Sequence, residues 1–273
     1  MKIAIVVLAC ASPPYDRTID AMRNTWGGIK VPGVEVSYVY GNPRSDEAKS
    51  TLARVLDVDT PPRVDQDKVL RTDDVLIAGC EDAIKDQEDC LLRKRLIAFE
   101  HLLEDEDVKF IYTICAVSYV DQVQLVETTT GLRSKTLFYG PVGLSGTAKT
   151  PFVSGSSMLL SRDLAERLVA DRAKIIEENE FGWRDDLTFG HWVATRYSHL
   201  SLGELIDSLR PSSILAPELL FVIANHQTAD FVMAPQEEHQ LRSSVYHYHF
   251  HSERPEDLYH FHTLWMAQAA SRE

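Results

Sequence analysis

Apolar residues follow two rhythms along this chain, and the alternation between them predicts a layered α/β protein. Ile3 to Ala9 and Val34 to Tyr40 are apolar runs of strand length. Phe110 to Asp121 opens as a third such run, entered from the acidic turn Glu104 to Asp107 and left through Ser118 to Asp121. A run without polar alternation suits a strand covered on both faces. The stretches between them have helical period. Tyr15 to Trp26 carries Ile19, Met22 and Trp26 on one side and stops at Gly27-Gly28, after the breaker Ser12-Pro13-Pro14. Asp46 to Val55 turns Leu52 and Val55 inward, and a Pro61-Pro62 loop and a polar stretch around Asp73-Asp74 follow. Gln87 to Leu103 sets Leu91, Leu92, Leu96, Phe99, Leu102 and Leu103 on one stripe, with Arg93, Lys94, Arg95 and Glu100 largely off it.

The second half repeats these rhythms in shorter pieces. Val120 to Thr130 predicts a helix, Lys135 to Tyr139 a strand, and Pro151 to Leu160 a strand with small residues at its middle. Ser161 is placed to cap the next helix. Asp185-Asp186 precedes a helical stretch from Leu187 to Tyr197, and short strands are expected around Ile214 and Phe231. From Val245 the chain alternates Tyr246, Tyr248 and Phe250 with His247, His249 and His251, so one strand face would carry three histidines. Glu256 to Ala270 predicts a closing helix. No repeat or linker interrupts the pattern, and the expectation is a single α/β domain over residues 1–273 with a mixed, mainly parallel central sheet flanked by helices.

Composition narrows the function classes. A formal net charge of -13 disfavours a surface that tracks a phosphate backbone, so no nucleic-acid partner is expected. No apolar run is long enough to span a bilayer. The cysteines Cys10, Cys80, Cys90 and Cys115 stand far apart with no CxxC pair, which reads as a cytoplasmic chain with reduced thiols.

Four constellations could carry chemistry. Asp185-Asp186, at a helix start among aromatics, offers a general base with an acidic neighbour; the same pair also serves simply to stabilise a helix N-terminus. The histidine face could present imidazoles to a metal, although a half-exposed strand tolerates histidine without that role. Arg17 and Arg23 flank the first helix and, with Lys94, could meet an anion, guanidinium forks being suited to diphosphates. Ser154-Gly155-Ser156-Ser157 puts small residues where a ligand or another backbone comes close. No P-loop, GxSxG elbow or GxGxxG turn is present.

Taken in order, these pieces resemble the β-1,3-glycosyltransferases of the GT-A fold, including the Fringe enzymes. Arg17…Met22-Arg23-Asn24-Thr25-Trp26-Gly27 is similar to that family's Arg-x-x-Ile-Arg-x-Thr-Trp-Gly element. Lys94 matches the lysine of its Lys-Thr-Leu helix, and Ser154-Gly155…Leu160-Ser161-Arg162 its Gly-x-Gly segment ending in Ser-Arg, with Ser157 replacing the second glycine. Asp185-Asp186-Leu187-Thr188-Phe189-Gly190 is close to its Asp-Asp-x-Thr-x-Gly. The resemblance implies a GT-A-like, Rossmann-like fold, with residues 1–121 as donor half and 122–273 as acceptor and catalytic half. It implies an inverting transfer from a nucleotide sugar, a UDP-sugar favoured, to a glycan or other hydroxyl, with Asp186 as base and Asp185 beside it. The donor would lie against Ala9, Cys10, Arg17, Arg23, Lys94, Ser118, Asp121, Gly155 and Ser156. The family's late histidine, a metal ligand, falls at His251, with His249 as the alternative.

The chain departs from the family where the metal-binding aspartates belong. Aligning Tyr119-Val120 with the family's Tyr-Val puts Cys115-Ala116-Val117 there, and a hard cation such as manganese or magnesium wants oxygen ligands. Three readings stand open: a transferase that neutralises its leaving group with basic residues or histidine, one that binds a divalent cation atypically through Asp121 and the histidines, or an inactive binder of nucleotide sugar or glycan. A metal-dependent hydrolase built on the histidine face is a remoter fourth.

Overall fold

The apolar runs become neighbours at the middle of one sheet. The computed structural model describes residues 1–82, 90–132, 134–144, 151–179, 185–197, 222–224, 228–231, 246–250 and 253–270. Lys2–Leu8 (β1), Tyr15–Asn24 (α1), Val34–Asn42 (β2), Asp46–Leu56 (α2), Val69–Thr72 (β3), Val75–Glu81 (β4), Cys90–Leu102 (α3) and Val108–Cys115 (β5) build the first half. Ser118–Val120 (β6), Gln122–Thr130 (α4), Leu137–Tyr139 (β7), Val142–Leu144 (β8), Pro151–Val153 (β9), Ser157–Ser161 (β10), Arg162–Ala170 (α5) and Arg172–Glu177 (α6) follow. Asp185–Tyr197 (α7), Val222–Ala224 (β11), Thr228–Phe231 (β12), His247–Phe250 (β13) and Pro255–Ala270 (α8) complete the described chain.

The main sheet has eight strands in the order β11-β7-β10-β5-β1-β2-β4-β3. Pairing is parallel from β5 through β1 and β2 to β4, while β10 and β3 run against their neighbours. The expected fold class, mixed and mainly parallel with flanking helices in the Rossmann-like manner, is the one observed. Successive β1 residues serve opposite cores: Ile3, Ile5 and Val7 pack with α1, α2 and α8, and Ala4, Val6 and Leu8 pack with α3, α5 and α7. Both faces are covered, which is why these strands read as unbroken apolar runs. The chain runs outward from β1 to β2 and β4, then returns through α3 to β5 on the other side of β1. Such a switch point opens a crevice at the carboxyl ends of the two strands.

Several expectations are corrected in detail. The polar stretch around Asp73-Asp74 is the tip of a hairpin joining β3 to β4. Pro151 to Leu160 is two strands, β9 and β10, separated by a turn at Ser154 to Ser156. Ser161 stands at the N-cap of α5, yet its hydroxyl does not cap: it donates to Asp163 Oδ1 at 2.6 Å and accepts from Leu137 N at 2.9 Å. Lys94 and Arg95 are not surface residues, being 0% and 2% exposed. The strand expected near Ile214, the start of the Gln87 helix and His251 lie outside the described residues.

Candidate functional site

The carboxyl edge of the sheet is held together by a buried charge pair. Lys94 Nζ, from the middle of α3, donates to Ala9 O at 2.8 Å and to Asp82 Oδ1 at 2.5 Å. Asp82 in turn accepts from Ala11 N at 2.9 Å and Gly41 N at 3.2 Å, so one carboxylate ties the ends of β1, β2 and β4. Burial alone would lower the Lys94 ammonium, but the Asp82 carboxylate and nearby thiols outweigh it and leave the pKa raised. Lys94 therefore shapes the edge on which Ala9 and Cys10 sit, with its charge already matched. Cys10 is itself buried, and its thiol is pushed up chiefly by that burial.

One strand beyond β5, the turn before β10 lies at the same edge, since Ser157 pairs with Ile114 near the end of β5. Gly155 N donates to Asp186 Oδ2 at 3.2 Å. Asp186 Oδ1 accepts from Leu187 N at 2.8 Å, and Asp185 Oδ1 accepts from Asp186 N at 3.0 Å. The acidic pair is thus both a helix start and a docking point for the Gly155 turn. Arg95 closes the group: Nη2 donates to Gly155 O at 2.8 Å, and Nε stands 2.9 Å from Asp185 Oδ2 without a linear hydrogen bond. Burial raises the Asp185 carboxyl to about 6, with Arg95 opposing that rise and Asp186 adding to it. A Cβ on Gly155 would meet Arg95 Nη2 at 3.1 Å and Asp186 Cβ at 3.4 Å, so what comes close to this small-residue segment is a pair of side chains, where a ligand or another backbone was expected. Ser156 adds a hydroxyl 2.9 Å from that of Ser154.

At the end of β5 the Cys115 thiol lies 3.3 Å from His249 Nδ1 and 3.3 Å from Ser118 Oγ. Burial pushes this thiol up, but the imidazole and the hydroxyl outweigh it and leave the pKa lowered. His247 faces the sheet interior, where its Nδ1 lies 2.7 Å from Tyr112 OH, which also contacts Ser157 Oγ at 2.7 Å. Of the described histidines on this strand, His247 joins a buried hydroxyl pair and His249 meets a thiol. Among the described residues, no three His, Cys, Asp or Glu side chains come together as a metal would require. Asp121, the nearest carboxylate in sequence, caps α4 through Gln124 N at 3.0 Å and accepts from Trp265 Nε1 at 3.1 Å. The described side chains gathered around Cys115 are a thiol, an imidazole and a hydroxyl, which do not fit a hard divalent cation.

The basic residues of α1 are not brought to the edge together. Arg17, on the first turn, is exposed and stands 3.5 Å from Glu256 of α8. Arg23 is two turns down the helix, over the Tyr38 ring and paired with Asp74 at 2.9 Å. Guanidiniums that sequence reasoning did not single out take the position instead. A cavity of about 690 Å³ opens at the ends of β2 and β4, lined in part by Arg44, Arg63 and Arg93, with Glu81 and Asp65. Arg44 and Arg63 share Glu81 at 2.9 and 3.5 Å. Asp82, at the end of the unread apolar run Val75 to Ala78, was missed, and Arg95 was read only as a residue off the apolar stripe.

No protein-family model and no curated protein matches the sequence. Among solved structures, the chain is similar to a glycosyltransferase involved in the glycosylation of the major capsid of PBCV-1, at 7% identity and a TM-score of 0.43, covering 97% of this chain and 100% of that one.

Proposed function

We propose that the protein transfers a sugar from a nucleotide-sugar donor to a hydroxyl acceptor, with inversion and without a conventional metal-binding aspartate motif. The observation that carries this reading is the Asp186 carboxylate, seated on the Gly155 turn at the carboxyl edge beside the β1/β5 switch point. In the proposed step Asp186 takes the acceptor proton, the acceptor oxygen bonds to the anomeric carbon, and the bond from that carbon to the diphosphate breaks, the electron pair leaving with the nucleoside diphosphate. The arginine-lined cavity on the β2/β4 side of the same edge supports an anionic donor, since guanidinium groups suit phosphate oxygens.

Purified protein is to be incubated with UDP-glucose, UDP-galactose and UDP-N-acetylglucosamine, and released UDP measured with and without EDTA. Turnover that survives EDTA and falls at least about a hundredfold in Asp186→Asn is the expected result. Turnover unaffected by that substitution would remove Asp186 from the role of base. A second reading, a binder of nucleotide sugars, is favoured by Cys115-Ala116-Val117 at the end of β5, and saturable binding with no release of UDP would establish it.

A further inference from the structure

Arg95 stands where α3 should offer an apolar side chain. Its neighbours Leu92, Leu96 and Phe99 are buried, and Arg95 is buried with them. Burying a guanidinium costs several kcal/mol, and a well-packed apolar residue in its place is often neutral or stabilising. Stability alone therefore does not account for it. Its contacts point elsewhere than into its own helix: Gly155 O at 2.8 Å, Met158 Sδ at 3.8 Å and Asp185 Oδ2 at 2.9 Å. With Gly155 N on Asp186 Oδ2 and Asp186 N on Asp185 Oδ1, these contacts close a ring through α3, the β9–β10 turn and the start of α7.

We infer that Arg95 is a positioning residue that fixes the Asp185-Asp186 step of α7 against the Gly155 turn and so aims the Asp186 carboxylate at the carboxyl edge. Asp185 is the intermediary. Among the described residues, the charged groups facing its carboxyl are Arg95 from α3 and Asp186 from α7, while the β9–β10 turn offers its backbone to Arg95 and Asp186. Arg95 holds Asp185 in its ionised form and restrains its rotation, and ionised Asp185 accepts from the Asp186 amide. Without the guanidinium the Asp185 proton is held to higher pH and the carboxyl loses the contact that restrains its rotation.

The rate arm of the test rests on the transferase reading, and the exchange arm does not. In UDP-sugar turnover, Arg95→Met is expected to lower kcat at least about tenfold with KM within about twofold, since misplacing a reacting group by an ångström costs rates of up to about a hundredfold. The acid limb of its kcat/KM profile should move to higher pH, and Arg95→Lys should restore the limb but only part of kcat. Folded Arg95→Met with wild-type kcat and limb overturns the inference. If Arg95→Met does not fold, Arg95→Lys and Arg95→Gln carry the test, and wild-type rates in both overturn it. If the wild type turns over none of the donors, the transferase reading fails while this inference is still read by amide exchange. Gly155 and Asp186 amides exchanging at least about tenfold faster in Arg95→Lys, with α3 amides unchanged, would support it, and unchanged exchange at those two amides would overturn it.

Discussion

The most reactive of the four thiols should be Cys115, and the reason is local. Its thiol is lowered by His249, whereas burial raises those of Cys10 and Cys90 and pushes that of Cys80 up to about 12. A lowered thiol pKa leaves a larger thiolate fraction at neutral pH, and the thiolate is the species that attacks. Iodoacetamide at pH 7 is therefore expected to label Cys115 first, as read by peptide mass analysis. His249→Ala should slow that labelling by about tenfold for each pKa unit lost. Cys80 or Cys10 labelling ahead of Cys115, or no change in His249→Ala, would refute the pairing. The cysteine itself was legible at its position in the sequence, but its partner was not. The imidazole arrives from β13, a strand whose antiparallel pairing sets His249 opposite Ser118, and no spacing rule encodes that register. Arg95 was misread for a related reason: helical period says which residues share a face, but Lys94 and Arg95 are drawn into the core by acceptors at Ala9, Asp82 and Gly155 supplied by other elements.

Elements were legible where one rhythm ran long enough, and failed where two rhythms met. β1, β2 and β5 were read as strands because burial on both faces leaves apolar runs. β4 went unread although Val75-Leu76-Ile77-Ala78 is equally apolar, because its hairpin partner β3 is a polar edge strand and Asp73-Asp74 looked like loop. The close approach that fixes β4 can be measured. A Cβ on Gly79 would lie 1.7 Å from Asp65 O, inside a contact already tied by Gly79 N donating to Lys68 O at 2.7 Å. Backbone on both sides leaves nothing flexible to move. Gly79→Ala is expected to destabilise by at least roughly 1–3 kcal/mol in urea unfolding. Gly131, the residue ending α4, has an ordinary right-handed conformation and only Thr128 O at 3.8 Å from the added carbon. Gly131→Ala should therefore be neutral or stabilising by up to about 1 kcal/mol. Equal effects at the two sites would show that β4 does not pack on the Asp65 loop in this way.

At the scale of the whole molecule, the donor and acceptor halves expected from sequence share one sheet. β5 belongs to residues 1–121, yet it pairs with β1 on one side and with β10 on the other. Its Phe110, Tyr112 and Ile114 lie in a core completed by Tyr246, Tyr248 and Phe261 from the far end of the chain. The β6 strand likewise takes its partner from β13, and Trp26 of the first half donates through Nε1 to Ser118 O at 2.9 Å, beside that pair. Cutting after residue 121 would leave β5 an unpaired apolar edge and uncover one face of the sheet, which favours aggregation over folding. The two halves should therefore unfold as one unit. Urea transitions followed by far-UV circular dichroism and by tryptophan fluorescence are expected to coincide, since Trp26 reports on the first half and Trp192 and Trp265 on the second. Residues 1–121 expressed alone should be insoluble or lack a cooperative transition. A soluble fragment with its own melt, or two separated steps in the full chain, would mean that residues 1–121 and 122–273 fold independently, and that the Gly155 turn and Asp186 can move relative to the β1/β5 crevice instead of being fixed beside it.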